Sequence, residues 1–227
     1  MTDTPSSGVV LLHGLAKTPR SFRRMERALQ KEGFATLNLA YPSRKYPLEV
    51  LVENVHAAIH PFAMQTDALH FVTHSMGGLL AQFYLARYRP IRLHRVVMLG
   101  PPNGGSEVTD FLKETAPYRA FYGPAGQQLG TSRLQSSGWL PLPDYSVGII
   151  AGNKTVDPIS SFFIVPQPND GRVSVESTRL RGMSDHIVLG ATHSGLLRHQ
   201  SAINQTLSFL RDGRFLRTAM DSHLRIF

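Results

Sequence analysis

The chain has 227 residues, enough for one domain that buries its own core but too few for two of ordinary size, so we expect a single domain over residues 1–227. It contains no cysteine, which excludes disulfides, thiolate nucleophiles and thiolate metal ligands and fits a reducing compartment; we expect a cytoplasmic protein. The formal net charge of +8 comes from scattered basic residues without a recognised nucleic-acid-binding module, so we expect a solvated basic surface and no nucleic-acid partner.

The first apolar run of the chain is short. Residues 1–8 are polar, and the run from Val9 to Leu12 is too brief for a signal peptide or a membrane span. We therefore expect a soluble chain without a signal peptide.

Apolar runs alternate with helical patterns, which predicts strands joined by crossover helices in a mostly parallel sheet. Thr18 and Pro19 open the first predicted helix and Gly33 ends it, and further helices are predicted over about residues 48–64, 76–87 and 194–210. The sequence thus predicts an α/β fold with helices on both faces of a sheet of about six strands. The predicted strands are Val9 to Leu12, Ala35 to Leu39, Leu69 to Thr73, Val96 to Leu99, Val147 to Ala151 and His186 to Leu189.

Two stretches lack clear periodicity. Residues 101–146 mix glycine, proline and aromatic residues, and residues 152–171 include the apolar sequence Phe-Phe-Ile-Val. Long irregular segments commonly form walls or lids, although short helices on the sheet edge fit residues 101–146 equally well. The C-terminal tail, about residues 212–227, alternates basic and apolar residues from Arg214 onwards and could dock on the domain, pair with a second copy or rest on a membrane surface.

The sequence Thr-His-Ser-Met-Gly at residues 73–77 joins a predicted strand to a predicted helix. A tight strand-to-helix turn can hold a serine in a strained conformation that projects its hydroxyl toward a base, so Ser75 is the candidate nucleophile. Gly77 occupies the second glycine position of the G-x-S-x-G pattern, whereas Thr73 replaces the first glycine. The simpler alternative is that Ser75 only caps the helix.

A nucleophilic serine needs a base and a group that orients the base. His193 follows the last predicted strand, at the same carboxyl edge of the sheet as Ser75, and is the candidate base. Asp170 is the candidate acid because Gly171 permits a sharp turn there, and Asp157, nearer the fifth strand, is its rival. Both residues could instead have purely structural roles: His193 could cap the last helix, and Asp170 could belong to an ordinary Asp-Gly turn.

The oxyanion hole is predicted at two backbone amides. One belongs to Met76, after the nucleophile, and the other to Leu15, in the loop after the first strand where Gly14 lets the chain turn. We expect His13 to support this loop and His74 to pack beneath the strand-to-helix turn, and neither to act as a second base.

No metal or cofactor site is predicted. His56 and His60 have a spacing on a predicted helix that can bind a metal, but the glutamate of the His-Glu-x-x-His pattern is absent. The glycines of residues 100–105 follow a strand without forming a phosphate-binding pattern. We therefore expect chemistry that uses neither a metal nor an organic cofactor.

Four motifs together resemble the α/β-hydrolase superfamily, particularly its small bacterial lipases and esterases. They are Val-Val-Leu-Leu-His-Gly-Leu at 9–15, Thr-His-Ser-Met-Gly-Gly at 73–78, Asn-Asp-Gly-Arg-Val at 169–173 and Ala-Thr-His-Ser-Gly at 191–195. The resemblance covers about residues 9–210 and reproduces the order nucleophile, acid, histidine. A first strand so near the N terminus implies the minimal version of the fold. The departure is Thr73, a substitution that some lipases of the superfamily share.

The resemblance implies a serine hydrolase that cleaves carboxylic esters with a hydrophobic acyl chain, and hence a small-molecule or lipid-like acyl ester as its partner. The aromatic segment at residues 111–139 would form a wall of the acyl pocket. The same site would also serve a thioesterase, an amidase or an acyltransferase, and the fold can act as a non-catalytic binding module, although an intact set of residues argues against that. The implied site comprises the catalytic residues Ser75, Asp170 and His193 and the oxyanion-hole amides of Leu15 and Met76.

Overall fold

Six parallel strands form one sheet. The computed structural model describes residues 7–105, 109, 114–130, 142–155 and 165–217. The strands pair in the order β2-β1-β3-β4-β5-β6, and every pair is parallel. The six predicted strands and the α/β architecture are confirmed. The strands are Ser7–Leu12 (β1), Ala35–Leu39 (β2), Ala68–His74 (β3), Leu93–Leu99 (β4), Ser146–Gly152 (β5) and Asp185–Leu189 (β6).

Five α-helices accompany the sheet in the described part of the chain. The first follows a 3₁₀ turn, Pro19–Phe22, whose N-cap is Thr18. The second has the predicted bounds, and the third begins directly after Ser75 as predicted. The helices are Arg23–Lys31 (α1), Leu48–Met64 (α2), Met76–Tyr88 (α3), Ala116–Gln127 (α4) and Gln200–Asp212 (α5).

The predicted start of the last helix at residue 194 is wrong, because α5 begins at Gln200. The chain from 193 to 198 is a series of turns in which the Leu196 amide donates to the Thr192 carbonyl and the Thr192 hydroxyl accepts from the Gly195 amide. His199 then has an extended backbone, with φ −71° and ψ 124°, so the helix cannot pass through it. His193 therefore lies in a turn, not at the first turn of a helix.

Apolar side chains pack on both faces of the sheet. One cluster joins Val10 and Leu12 of β1 to the buried residues of α2 and α3. The other joins Val9 and Leu11 to buried residues of α1 and α5. A strand covered on both faces has no polar side, which explains why the first strand is a continuous apolar run.

The irregular segment at residues 101–146 is described only in part. It contains α4, in which Gly123 breaks the helical conformation with φ 64° and ψ −164°. Residues 111–113 and 131–139 of the predicted aromatic wall lie outside the described residues, as do residues 162–164 of the apolar sequence at 162–165. That this segment forms a lid or cap stays a prediction, and so does the single domain over residues 1–227.

The first part of the C-terminal tail docks on the domain. Phe215 is buried and lies 5.0 Å from Phe209 of α5, measured between ring centroids. The Phe215 amide donates to the Asp185 carboxylate over 2.8 Å, and Arg217 pairs with the same carboxylate. Residues 218–227 lie outside the described part. None of the helices described has both the length and the apolar character needed to cross a bilayer.

Candidate active site

The turn between β3 and α3 holds Ser75 in a strained conformation. Its φ of 54° and ψ of −129° lie in a region that L-residues rarely adopt. The Ser75 amide donates to the Leu99 carbonyl at the end of β4 over 2.9 Å, and its carbonyl accepts from the Gly78 amide over 2.8 Å. These bonds hold the side chain at the carboxyl edge of the sheet, half-buried.

Close packing of α3 against β1 explains the glycine after the serine. A Cβ atom on Gly77 would lie 2.2 Å from the Leu12 carbonyl oxygen and 2.7 Å from that of His13. Thr73, by contrast, is fully buried within β3 between β1 and β4. An extended strand position suits a β-branched residue, so the first glycine of the motif is not required there.

A continuous hydrogen-bond chain links the three predicted side chains. His193 Nε2 lies 2.9 Å from Ser75 Oγ, and His193 Nδ1 lies 2.7 Å from Asp170 Oδ2. Since the carboxylate can only accept, Nδ1 carries the proton and Nε2 presents a lone pair to the Ser75 hydroxyl. The structure thus brings Ser75, His193 and Asp170 together in the arrangement that a nucleophile, its base and an orienting acid require.

Backbone amides hold the acid. Asp170 Oδ1 accepts from the Arg172 amide over 3.0 Å and from the Val173 amide over 2.9 Å, while Gly171 has φ +93° as the turn requires. The Asp170 side chain is fully buried. Its carbonyl accepts from the His193 amide over 2.9 Å, so the acid loop and the histidine loop are also joined through the backbone. The rival, Asp157, lies outside the described residues.

The loop after β1 is supported by residues that follow β2. The His13 ring stacks on Tyr41 with centroids 4.1 Å apart, and its Nδ1 donates to the Gly14 carbonyl over 2.9 Å. The Tyr41 hydroxyl donates to the His13 carbonyl, and the Ala16 amide donates to the Ser43 hydroxyl. Burial lowers the pKa of His13. His13 therefore supports the loop, as expected.

The two predicted oxyanion-hole amides belong to Met76, at the start of α3, and to Leu15, in the loop after β1. Met76 is the first residue of α3, where an amide has no partner within its own helix. Among the described residues, neither the Met76 amide nor the Leu15 amide donates a hydrogen bond. That these two amides form an oxyanion hole stays a prediction.

His74 connects the histidine loop to the loop after β1. It is buried, and its Nε2 donates to the His193 carbonyl over 2.9 Å. Its Nδ1 has no hydrogen-bond partner among the described residues and faces Gly14, where a Cβ atom would lie only 2.9 Å away. Burial, reinforced by the nearby His193, holds the pKa of His74 well below its ordinary value, so the ring is neutral. The His74 side chain therefore holds the backbone of His193, the candidate base.

We expect His74→Met to lower kcat by about tenfold with little change in KM, because the His193 carbonyl loses its donor while the buried volume is kept. His74→Gln, which matches methionine in length but retains an amide donor, should recover most of the loss. Steady-state kinetics on both folded variants with a neutral aryl ester measures the difference. Equal losses in the two variants would mean that His74 contributes packing only.

The two histidines with metal-ligand spacing pack as ordinary side chains. The His56 ring stacks on Tyr88 with centroids 3.7 Å apart and lies 5.4 Å from the His60 ring. The described residues contain no group of three or more histidine, cysteine or acidic side chains that could hold a metal ion.

Gly100 is, like Tyr41 and Ser43, a supporting residue that the sequence analysis did not identify. Gly100, after β4, has φ +54°, and a Cβ atom there would lie 3.1 Å from Asp170 Oδ2 and 3.2 Å from His193 Nδ1. It leaves room for the acid–histidine pair against the end of the sheet. The signal in the sequence is a glycine directly after a predicted strand. Only the fold shows that Asp170 and His193 lie against it.

Residues 9–152 match the sequence model of the alpha/beta hydrolase family, a match that ends before Asp170 and His193. No curated protein matches the chain in sequence. Among solved structures, the mature lipase BlEst2 of Bacillus licheniformis is similar with a TM-score of 0.73 at 18% identity, over 95% of each chain.

Two further structures share the fold. A metagenomic carboxyl esterase matches with a TM-score of 0.71 at 19% identity, over 84% of this chain and 65% of that one. The phospholipase PlaB from Legionella pneumophila matches with a TM-score of 0.70 at 15% identity, over 96% of this chain and 62% of that one. Since the family's sequence model matches more than half of the 227 residues, the chain belongs to the alpha/beta hydrolase family.

Proposed function

We propose that this chain is a serine hydrolase that cleaves carboxylic esters through an acyl-enzyme on Ser75. The observation that carries the proposal is the hydrogen-bond chain from Asp170 through His193 to Ser75 at the carboxyl edge of the sheet. The similar structures of a lipase, a carboxyl esterase and a phospholipase support a carboxylic ester as the bond cleaved.

In the first half-reaction, Ser75 Oγ attacks the ester carbonyl carbon while His193 Nε2 takes the hydroxyl proton. Asp170 holds the imidazole in the required tautomer and stabilises its charged form. The amides of Leu15 and Met76 donate to the oxyanion of the tetrahedral intermediate. His193 then gives its proton to the leaving oxygen as the carbon–oxygen bond breaks, which releases the alcohol and leaves the acyl group on Ser75.

The second half-reaction repeats these roles with water. His193 Nε2 takes a proton from water as its oxygen attacks the acyl carbon, and the same two amides hold the new oxyanion. Collapse of this intermediate returns the proton to Ser75 and releases the carboxylic acid. A hydrophobic acyl chain remains our expectation for the acid portion.

The proposal is tested with a panel of aryl esters, thioesters and anilides of graded acyl length, assayed beside Ser75→Ala. We expect ester hydrolysis by the unaltered protein and none by the variant. A fluorophosphonate should label Ser75 only, because an activated serine attacks phosphorus readily. Preference for thioesters or anilides would move the protein to the thioesterase or amidase class. Tight binding of acyl esters without labelling or turnover would instead indicate a binding module.

A further inference from the structure

Positive charge is concentrated at the edge of the sheet where Ser75 lies. The described parts of the loops near this edge carry exposed cations that form no ion pair with a described residue, among them Lys17, Lys45, Lys154 and Arg172. The described parts of these loops hold three carboxylates: Asp170 is fully buried, Glu176 pairs with Arg179 over 3.0 Å, and Glu114 is exposed. The carboxylate of Glu49, in the first turn of α2, accepts a hydrogen bond from the side-chain amide of Gln128 over 2.9 Å.

The opposite edge of the sheet is different. There, several arginine side chains pair with carboxylates, as in Arg89 with Asp144 and Arg92 with Asp67, whose atoms lie 3.1 and 3.7 Å apart, while the exposed Lys31 and Arg181 form no ion pair with a described residue. Two further pairs at that edge join Arg211 to Glu32 and Arg217 to Asp185. Four ion pairs of the described residues therefore lie at the edge opposite the candidate site.

Two of these cations make hydrogen bonds with residues of the loops around the candidate site. Lys17 Nζ donates to the Ser194 hydroxyl over 3.2 Å, next to His193 in sequence. The Lys17 amide also donates to the Gly14 carbonyl over 3.1 Å, which places Lys17 in the loop of the Leu15 amide. The Lys17 ammonium group therefore lies where the loop that contains His193 meets the loop that contains Leu15.

Arg172 stands on the acid side of the site. Its amide bonds to Asp170 Oδ1, and its guanidinium donates to the Tyr122 hydroxyl of α4 over 3.1 Å. The same helix continues to Gly126, beside the Leu15 side chain. The charges of Lys17 and Arg172 both reach the buried His74 ring and help to lower its pKa.

Building on the proposed ester hydrolysis, we propose that the site takes acyl esters that carry an anionic group, a carboxylate or a phosphate, near the scissile bond, and that Lys17 and Arg172 recognise it. A guanidinium binds either group in a bidentate manner, and a lysine adds a mobile point charge. Unmatched cations around a cleft also raise the local concentration of anionic substrates.

The test uses soluble, monomeric phenyl butyrates that carry a meta carboxylate, a meta phosphonate or, as the neutral isostere, a meta carboxamide. The measured quantity is the ratio of kcat/KM for each anionic ester to that for the neutral ester. In Lys17→Gln/Arg172→Gln this ratio should fall by about tenfold, the combined effect of two exposed charge interactions. In the unaltered protein the ratio should also fall as salt is added.

The matched control is Lys31→Gln/Arg181→Gln, which removes the same charges from exposed positions at the opposite edge. An unchanged ratio in the control supports local recognition, whereas an equal fall in both double variants overturns it. A second outcome also contradicts local recognition. If anionic charge raises turnover only when acyl esters are presented in anionic vesicles, and never with the soluble esters, the cations bind a membrane surface and not the substrate. If Ser75→Ala is inactive but the ratio does not depend on Lys17 and Arg172, ester hydrolysis stands and this inference alone fails.

Discussion

We expect Asp170→Asn to lower kcat for ester hydrolysis by about 10⁴-fold while the protein stays folded. The amides of Arg172 and Val173 hold an oxygen at the Oδ1 position, so the amide nitrogen of the new asparagine must face His193 Nδ1. That nitrogen donates, which forces Nδ1 to accept and moves the imidazole proton to Nε2. Nε2 then cannot accept the proton of Ser75. Kinetics with circular dichroism as the folding control measures the effect.

The rival acid provides the matched comparison. Asp157→Asn should keep most of the activity, because Asp170 already supplies the bond to His193 over 2.7 Å. The reverse pattern in two well-folded variants would assign the acid to Asp157. The loop at residues 169–173 would then be a structural turn.

Gly77→Ala should nearly abolish hydrolysis and destabilise the protein by about 3 kcal/mol, at the upper end for an overpacked site. The added methyl group would lie 2.2 Å from the Leu12 carbonyl oxygen and 2.7 Å from that of His13, and neither backbone atom can move without shifting β1 or α3. Either shift separates Ser75 from the loop that carries the Leu15 amide. Denaturant unfolding and ester kinetics measure the two effects.

The neighbouring glycine is the control. Gly78→Ala would place its methyl group 3.1 Å from Pro101 Cβ, a side-chain contact that small adjustments relieve. Alanine also favours a helix over glycine by about 1 kcal/mol, which offsets part of the strain. If Gly77→Ala were as stable and as active as Gly78→Ala, the close approach of α3 to β1 would not constrain the site.

Much of the fold follows from local sequence because of how the strands are buried. Central strands covered on both faces are continuous apolar runs, so β1, β3 and β4 are visible without tertiary information. The turn at Ser75 is equally local, since a strand, a small-residue turn and an apolar helix follow one another within a few residues. Ser75, Asp170 and His193 were named from such motifs, and the structure places their side chains within hydrogen-bond distance.

What the sequence could not predict depends on contacts between distant segments. The support of His13 by Tyr41 joins residues 28 positions apart, and the bond from His74 to the His193 carbonyl spans 119 positions. The start of α5 was misplaced because apolar spacing continues through residues 194–199, although the extended His199 backbone interrupts the helix. A helical pattern can persist in a turn when its apolar side chains, such as Leu196 and Leu197, are buried by the rest of the fold.

The docked part of the tail lies beside an edge strand of the sheet. β6 is an edge strand, and an edge strand offers unpaired backbone groups to strands of other molecules. Arg217 donates to the His186 carbonyl of β6 over 3.2 Å, and the Phe215 amide caps the Asp185 carboxylate at the start of the same strand. The segment therefore shields one end of the exposed edge with a charged side chain, a common defence against edge-to-edge aggregation. A chain shortened after Asp212 would lose that shield and expose Phe209, which favours aggregation even where the candidate site is intact.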